Sequence, residues 1–356
     1  MTQVGLEGVV VAQTRLSGVD GLRGQLTIAG RDVADMATLP RFEIACAALC
    51  DGDDAQADAW AQRLGAARVE AFERLPAIGD ALRAPDAIAA LRAAAAHTWP
   101  DHEDWSDRAA ALVGMVAVAL GAWIRTRAGL APVPPSADHA HAADILAMAT
   151  GESPTVARER ALTAYLSTVV DHGMNASTFA ARVVASTHAS LSACVVAGLA
   201  ALEGPLHGGA PGPVLDMLDA VGSPDNAGAW IDAELAAGRR IMGIGHRVYR
   251  VRDPRAAALE GAYVALGADP DRRALARAVE EAAVAALARR HPERPLQANV
   301  EFFTALLLDA LGFPREALSG VFAAARVVGW CAHAREQLQT GRLLRPRADY
   351  VGPAAR

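Results

Sequence analysis

Residues 177–202 read Ser-Thr-Phe-Ala-Ala-Arg-Val-Val-Ala-Ser-Thr-His-Ala-Ser-Leu-Ser-Ala-Cys-Val-Val-Ala-Gly-Leu-Ala-Ala-Leu. Ala, Ser and Val fall on nearly every face, and Arg182 and His188 are the main polar interruptions. The spacing predicts one continuous helix, apolar on most sides and therefore central. Its small side chains would let a neighbouring helix, or a symmetry-related copy, pack closely. Just before it, Ser153 as N-cap and Pro154 at the first helical position predict a helix over 154–171, ending at Asp171-His172-Gly173-Met174-Asn175. Towards the N-terminus, short Ala-rich helices are predicted over 41–50 and 54–65, with Pro76 and Pro85 as punctuation and a helix from Pro85-Asp86 to about Ala96. Towards the C-terminus, helices are predicted over 213–221, 226–237, 254–266, 270–290, 299–311 and 315–339, followed by an arginine-rich, non-helical tail. The one strand-like region is 8–30, where Val9-Val10-Val11 and Gln25-Leu26-Thr27-Ile28 flank turn residues Asp20-Gly21 and Gly24 and predict a small hairpin. The expected class is mainly α, with a small N-terminal β element.

Composition narrows the chemistry. The chain has 356 residues, 52% of them apolar, enough for a substantial core and two domains. A net charge of −6 argues against a nucleic-acid or acidic-membrane partner, which would call for a basic face. All 34 basic residues are Arg. Without Lys there is no Schiff-base chemistry, no lysine-anchored pyridoxal phosphate and no P-loop. The four cysteines form no CxxC pair and no Cys/His cluster with zinc spacing, so buried free thiols are expected, Cys46 and Cys50 on one helical face. No signal-peptide pattern is visible at the N-terminus. The uncharged run Ala109–Ile124 is shorter than the ~20 residues of a bilayer span and predicts a buried helix in a soluble, cytoplasmic protein. His97, His102 and Glu103 lie in a polar loop with no helix-face spacing, and His139 and His141 read as surface residues, so no metal is expected.

The polar signals lie on both sides of the central helix. Gly-Pro-Leu-His-Gly-Gly at 204–209 and Gly-Ile-Gly-His-Arg-Val-Tyr-Arg-Val-Arg-Asp-Pro-Arg at 243–255 each set one His among glycines, where backbone can approach a ligand closely. Two presented imidazoles beside guanidinium groups suit a small, multiply anionic substrate with a carbonyl to polarise. Together with Gly-Leu-Glu-Gly-Val-Val at 5–10, Asp-His-x-x-Asn-Ala-Ser-Thr-Phe at 171–179, Asn-Val-Glu-Phe at 299–302, Phe-Ala-x-Ala-Arg at 322–326 and Arg-Pro-Arg-x-x-Tyr-Val-Gly at 345–352, these segments occur in a fixed order. In that order the sequence resembles citrate synthase and its 2-methylcitrate synthase relatives over nearly its whole length.

The resemblance implies a two-domain helical fold, with residues 1–207 plus 317–356 as the large domain carrying the dimer interface and 208–316 as the small one. It implies a Claisen condensation: a base removes a proton beside the thioester of acetyl-CoA, the enol attacks the ketone of oxaloacetate, and citryl-CoA is hydrolysed. By position, Glu301 matches the base, His207 the group that stabilises the enol, and His246 the group that polarises the ketone. His172, Arg255 and Arg326 match oxaloacetate ligands, and Arg345 an arginine that a second copy contributes, so a homodimer is implied. Gly243 and Gly245, with Arg247 or Arg250, match the part that meets CoA, a co-substrate; no other cofactor is implied. Three features depart from the family pattern. Glu301 stands where Asp is usual, Gly173 replaces an acidic residue, and residues 51–110 match poorly. The alternatives are 2-methylcitrate synthesis from propionyl-CoA and a non-catalytic dimer that senses a carboxylate or CoA.

Overall fold

A computed structural model of the chain describes residues 6, 8–99, 101–207, 211–246, 248–293 and 296–353. A three-stranded antiparallel sheet comes first: β1 (Ser17–Asp20), β2 (Gln25–Ile28) and β3 (Arg31–Asp32), in that order across the sheet. Ser17 pairs with Ile28 and Asp20 with Gln25, so the connection is the tight turn 21–24. Helices follow: α1 (Val33–Met36), α2 (Phe42–Cys50), α3 (Ala57–Ile78), α4 (Ala87–Ala96), α5 (Trp105–Arg127), α6 (His141–Thr150) and α7 (Val156–Val169). Then come α8 (Ala176–Ala185), α9 (Leu191–Leu202), α10 (Pro211–Val221), α11 (Ala227–Ala236), α12 (Pro254–Ala265), α13 (Pro270–Arg290), α14 (Val300–Ala310) and α15 (Leu318–Thr340). The fold class is the expected one, mainly α with a small N-terminal sheet.

Two long helices form the centre. α5 packs on α3, α4, α6 and α15, while α15 also lies against α2, α7, α8 and α9. Both are long and apolar enough to cross a membrane by composition, yet 83% and 89% of their apolar windows are buried inside the protein, the pattern of core helices. Close approach depends on missing side chains. A Cβ on Gly198 of α9 would lie 2.6 Å from the Trp330 ring of α15. Gly198→Ala is therefore expected to cost about 1–3 kcal/mol through overpacking, read from the urea midpoint. The four cysteines are free and buried, and burial pushes every one of their thiols up.

Several boundaries differ from expectation. Val9–Val11 are not a strand: Val10 is 85% exposed, and the partner of β2 is Ser17–Asp20 instead. The central helix is two. Ser186 and Thr187 turn their hydroxyls back onto the carbonyls of Val183 and Val184, His188 takes a left-handed φ of 62°, and Ser190 caps α9 by accepting from Ala193 N–H. The segment Ser-Thr-His-Ala-Ser carried this signal. Thr155, not Ser153, caps α7, accepting from Arg158 N–H. The helix expected over 54–65 runs on to Ile78, with Pro76 tolerated in its last turns.

His141 is not a surface residue. It is fully buried and stacked on Phe42, while His139 is half-exposed. The cause is Arg68 of α3, also fully buried, whose guanidinium donates to Asp144 Oδ2 (2.5 Å), His141 Nδ1 (3.0 Å) and the carbonyls of Ser136 and His139. Glu43 accepts from His141 N–H at 2.7 Å. Burial, then the Arg68 charge, holds the His141 pKa well below its usual value.

Candidate active site

Helix starts supply much of the site. Asn175 caps α8 by accepting from Thr178 N–H, Asp253 caps α12 by accepting from Arg255 N–H, and Asn299 caps α14 by accepting from Glu301 N–H. Arg255 and Glu301 therefore project from first turns, where the helix dipole favours a carboxylate. The segment 243–246 is stitched to 297–299 as a short antiparallel pair. Gly245 N–H donates to Gln297 O, Asn299 N–H donates to Gly243 O, and the Asn299 side chain donates to Gly245 O. A Cβ on Gly243, whose φ is 71°, would stand 2.9 Å from the Phe302 ring, so glycine there lets the loop approach α14. This places His246 and Glu301 on one frame.

The two imidazoles among glycines are held in opposite tautomers. His246 Nδ1 accepts from the backbone N–H groups of Val248 (3.0 Å) and Tyr249 (3.1 Å). Since a peptide N–H can only donate, the ring proton sits on Nε2. His207 does the reverse: its Nε2 faces Ser177 N–H (3.3 Å) and Ser177 Oγ (2.8 Å), which leaves the proton on Nδ1. Ser177 Oγ is fixed in turn by Asn175 Oδ1 (2.8 Å) and by Trp330 Nε1–H (3.2 Å). Burial, then Arg255, lowers the His246 pKa to about 4, and burial, then Arg326, lowers that of His207 to about 4. Both are neutral hydrogen-bond donors at ordinary pH.

His172 lies at the end of α7, buried, with Nε2 3.1 Å from Tyr249 Oη and its ring edge-on to His246 at 5.5 Å. Burial, then the charges of Arg255 and Arg326, holds its pKa well below the usual value. Beneath it Asp171 accepts from Ser17 Oγ and from His333 Nε2 (3.2 Å). His333 Nδ1 faces Arg182 (3.0 Å), which also bonds Gln337 and Glu336.

Two guanidiniums face this cluster. Arg255 is buried and paired side-on with Asp253, at 3.0 and 2.7 Å. Arg326 is 1% exposed, donates from Nε to Val169 O (2.7 Å), and stacks on Phe322. Its Nη2 is buried without a hydrogen-bond partner, and burial lowers its pKa to about 10. A buried guanidinium with an unpartnered N–H is chemically suited to hold an anion. Glu301 is pushed up to about 7, mainly by burial and against the pull of Arg255 and Arg240. A carboxylate poised near neutrality suits a general base.

The structure thus links His172, His207, His246, Arg255, Glu301 and Arg326 in one electrostatic network, with Arg255 acting on His172, His246, Glu301 and Arg326, and Arg326 acting on His172 and His207. Gly243 and Gly245 lie at its edge, and Arg250 holds the loop through Nη1 to His246 O (3.4 Å). Arg247, Gly208 and Gly209 lie outside the described residues. Arg345 is not at the site of its own chain. It is exposed on the tail, whose Leu344 N–H donates to Ser186 Oγ at the far end of α8, about 15 Å from the helix start at 1.5 Å per residue. The sequence reading assigned no role to Ser177 or Tyr249, although both stand inside the quoted motifs. Among the described residues no group of three or more His, Cys, Asp or Glu side chains is arranged to hold a metal.

Comparison with known proteins bears directly on this arrangement. The family model for the citrate synthase C-terminal domain matches residues 5–347. The chain belongs to the citrate synthase family. A protein of Mycobacterium tuberculosis described as putative citrate synthase 2 is 47% identical over 196 residues, 55% of this chain; the match spans about half (52%) of that relative's length. Citrate synthase of Deinococcus radiodurans is 34% identical over 98% of this chain and 95% of its own. The 2-methylcitrate synthase of Mycobacterium tuberculosis is 32% identical over 98% of this chain and 90% of its own. Citrate synthase from Thermoplasma acidophilum, solved in a ternary complex with carboxymethyl coenzyme A and oxaloacetate, superposes with a TM-score of 0.87 at 28% identity, covering 98% of this chain and 96% of that one.

Proposed function

We propose that this citrate synthase family member condenses acetyl-CoA with oxaloacetate and hydrolyses the citryl-CoA formed to citrate and CoA. The observation that carries the reading is the pair of neutral imidazoles held in opposite tautomers, His246 on the same loop-and-helix frame as Glu301, a carboxylate that burial pushes up to about 7. Glu301 takes the proton from the methyl group beside the thioester. His207 offers Nδ1–H to the thioester oxygen as the enol forms, and His246 offers Nε2–H to the ketone oxygen as it becomes an alkoxide. Arg255, the open Nη2 of Arg326, and His172 hold the carboxylates of oxaloacetate. The family pattern assigns Gly243, Gly245 and Arg250, together with Arg247 by its position in sequence alone, to CoA. Arg345 completes the carboxylate set from a second copy, which makes the working unit a homodimer, and a cytoplasmic location is part of the same proposal. Residues 208–316 form the small domain and close over the cleft as oxaloacetate binds.

Release of free thiol from acetyl-CoA, with and without oxaloacetate, tests the reading; absence of oxaloacetate-dependent release from folded protein overturns it. The full-length likeness to a 2-methylcitrate synthase makes propionyl-CoA the second donor to assay, since one methylene is worth only about 1–3 kcal/mol in such a pocket. The pH profile is set by Glu301. The base must be ionised, so kcat/KM for the acyl-CoA should rise tenfold per pH unit below about 7 and level off above it. The imidazoles, neutral down to about 4, add no step in that range.

A further inference from the structure

We propose that β1 and its turn act as a strut that sets the separation of His172 from His246, with Ser17 and Gly21 as positioning residues for the condensation. The inference rests on the proposed condensation. At one end of the strand, Ser17 Oγ donates to Asp171 Oδ2 and accepts from Gly173 N–H at 2.7 Å, so it holds both neighbours of His172. At the other end, Arg250 N–H donates to Gly21 O at 2.9 Å. Val248 and Tyr249, whose N–H groups fix the tautomer of His246, lie just before Arg250. Four residues of strand, about 13 Å at 3.3 Å per residue, span the two contacts.

The turn is stiff, because Asp20 Oδ1 accepts from both Leu22 N–H (3.1 Å) and Arg23 N–H (3.0 Å). The contact at Gly21 is between backbones. A Cβ there would stand 2.2 Å from Val248 O and 2.7 Å from its carbonyl carbon, neither of which can yield without moving the loop. Gly24 repeats the arrangement one step on, its Cβ position 2.6 Å from Val251 Cγ2. Gly21 is not among the residues with positive φ, so its own backbone places no demand for glycine. Only the His246 loop does. Alanine at 21 would by itself cost nothing in conformation, which makes the substitution a probe of the loop alone. Gly18 in the same strand has open space at its Cβ position and serves as the control.

The test uses the full chain with Gly21→Ala, Ser17→Ala and Gly18→Ala, measuring kcat, both KM values and hydrogen exchange over 171–175 and 246–252. Gly21→Ala is expected to lower kcat about a hundredfold, the effect of a displacement near 1 Å, and to speed exchange over 246–252. Ser17→Ala is expected to raise the KM for oxaloacetate about tenfold and to speed exchange over 171–175, with kcat moving less. Gly18→Ala is expected to match wild type. Gly21→Ala with the kcat and exchange of Gly18→Ala overturns the proposal. If Gly21→Ala does not fold, Ser17→Ala decides, and wild-type KM and exchange in that variant overturn it. If wild type shows no oxaloacetate-dependent thiol release, the condensation reading falls, and the exchange data alone decide whether the strut holds the loop.

Discussion

Glu301→Gln is expected to lower kcat by about 10²–10⁴-fold, the usual contribution of a positioned general base, while oxaloacetate binding by calorimetry stays intact. The amide keeps the size, and the backbone N–H of residue 301 still donates to Asn299 Oδ1, but the amide cannot accept the methyl proton. Two controls make the result specific. Glu301→Asp retains a carboxylate but withdraws it by one methylene, and misplacement near 1 Å costs about a hundredfold, so it should fall between wild type and Gln. In Glu301→Asp the acid limb of the pH profile should persist; in Glu301→Gln any residual rate should lose it. A Gln variant with wild-type kcat would remove Glu301 from the chemistry.

The second large effect is on stability. Arg68→Met is expected to cost about 3–5 kcal/mol in urea denaturation, because it leaves Asp144 buried without its cation. The same substitution frees the carbonyls of Ser136 and His139 and the Nδ1 of His141. Adding Asp144→Leu should recover part of the loss, since replacing both partners removes the uncompensated charge. A loss below about 0.5 kcal/mol, the range of ordinary surface substitutions, would show that the cluster does not hold the 128–140 loop.

What was legible in the sequence follows from the range of the interactions. Helix periodicity and caps are local, and most helices stood near their expected places. The glycine-flanked histidines were legible because a loop that touches a ligand needs small neighbours. Contacts between distant residues were not. Nothing near His141 announces Arg68, 73 positions away, so a buried, stacked imidazole read as a surface one. Ser177 lies 30 positions from His207, and the tautomer it dictates exists only once α8 and the 204–207 turn meet. The break at 186–190 was written locally, in Ser, Thr and Ser, but the apolar residues around it carried the stronger pattern.

The four cysteines have a practical consequence. Disulfide reagents report thiolates, and Cys46, Cys50, Cys194 and Cys331 are all covered and held in the thiol form by burial. The folded protein is therefore silent to such a reagent, and under the proposed condensation every thiol it detects would come from CoA. In denaturant the same reagent counts four per molecule that opens. One colorimetric readout thus follows catalysis in the native protein and unfolding in the Gly198, Arg68 and Gly21 variants.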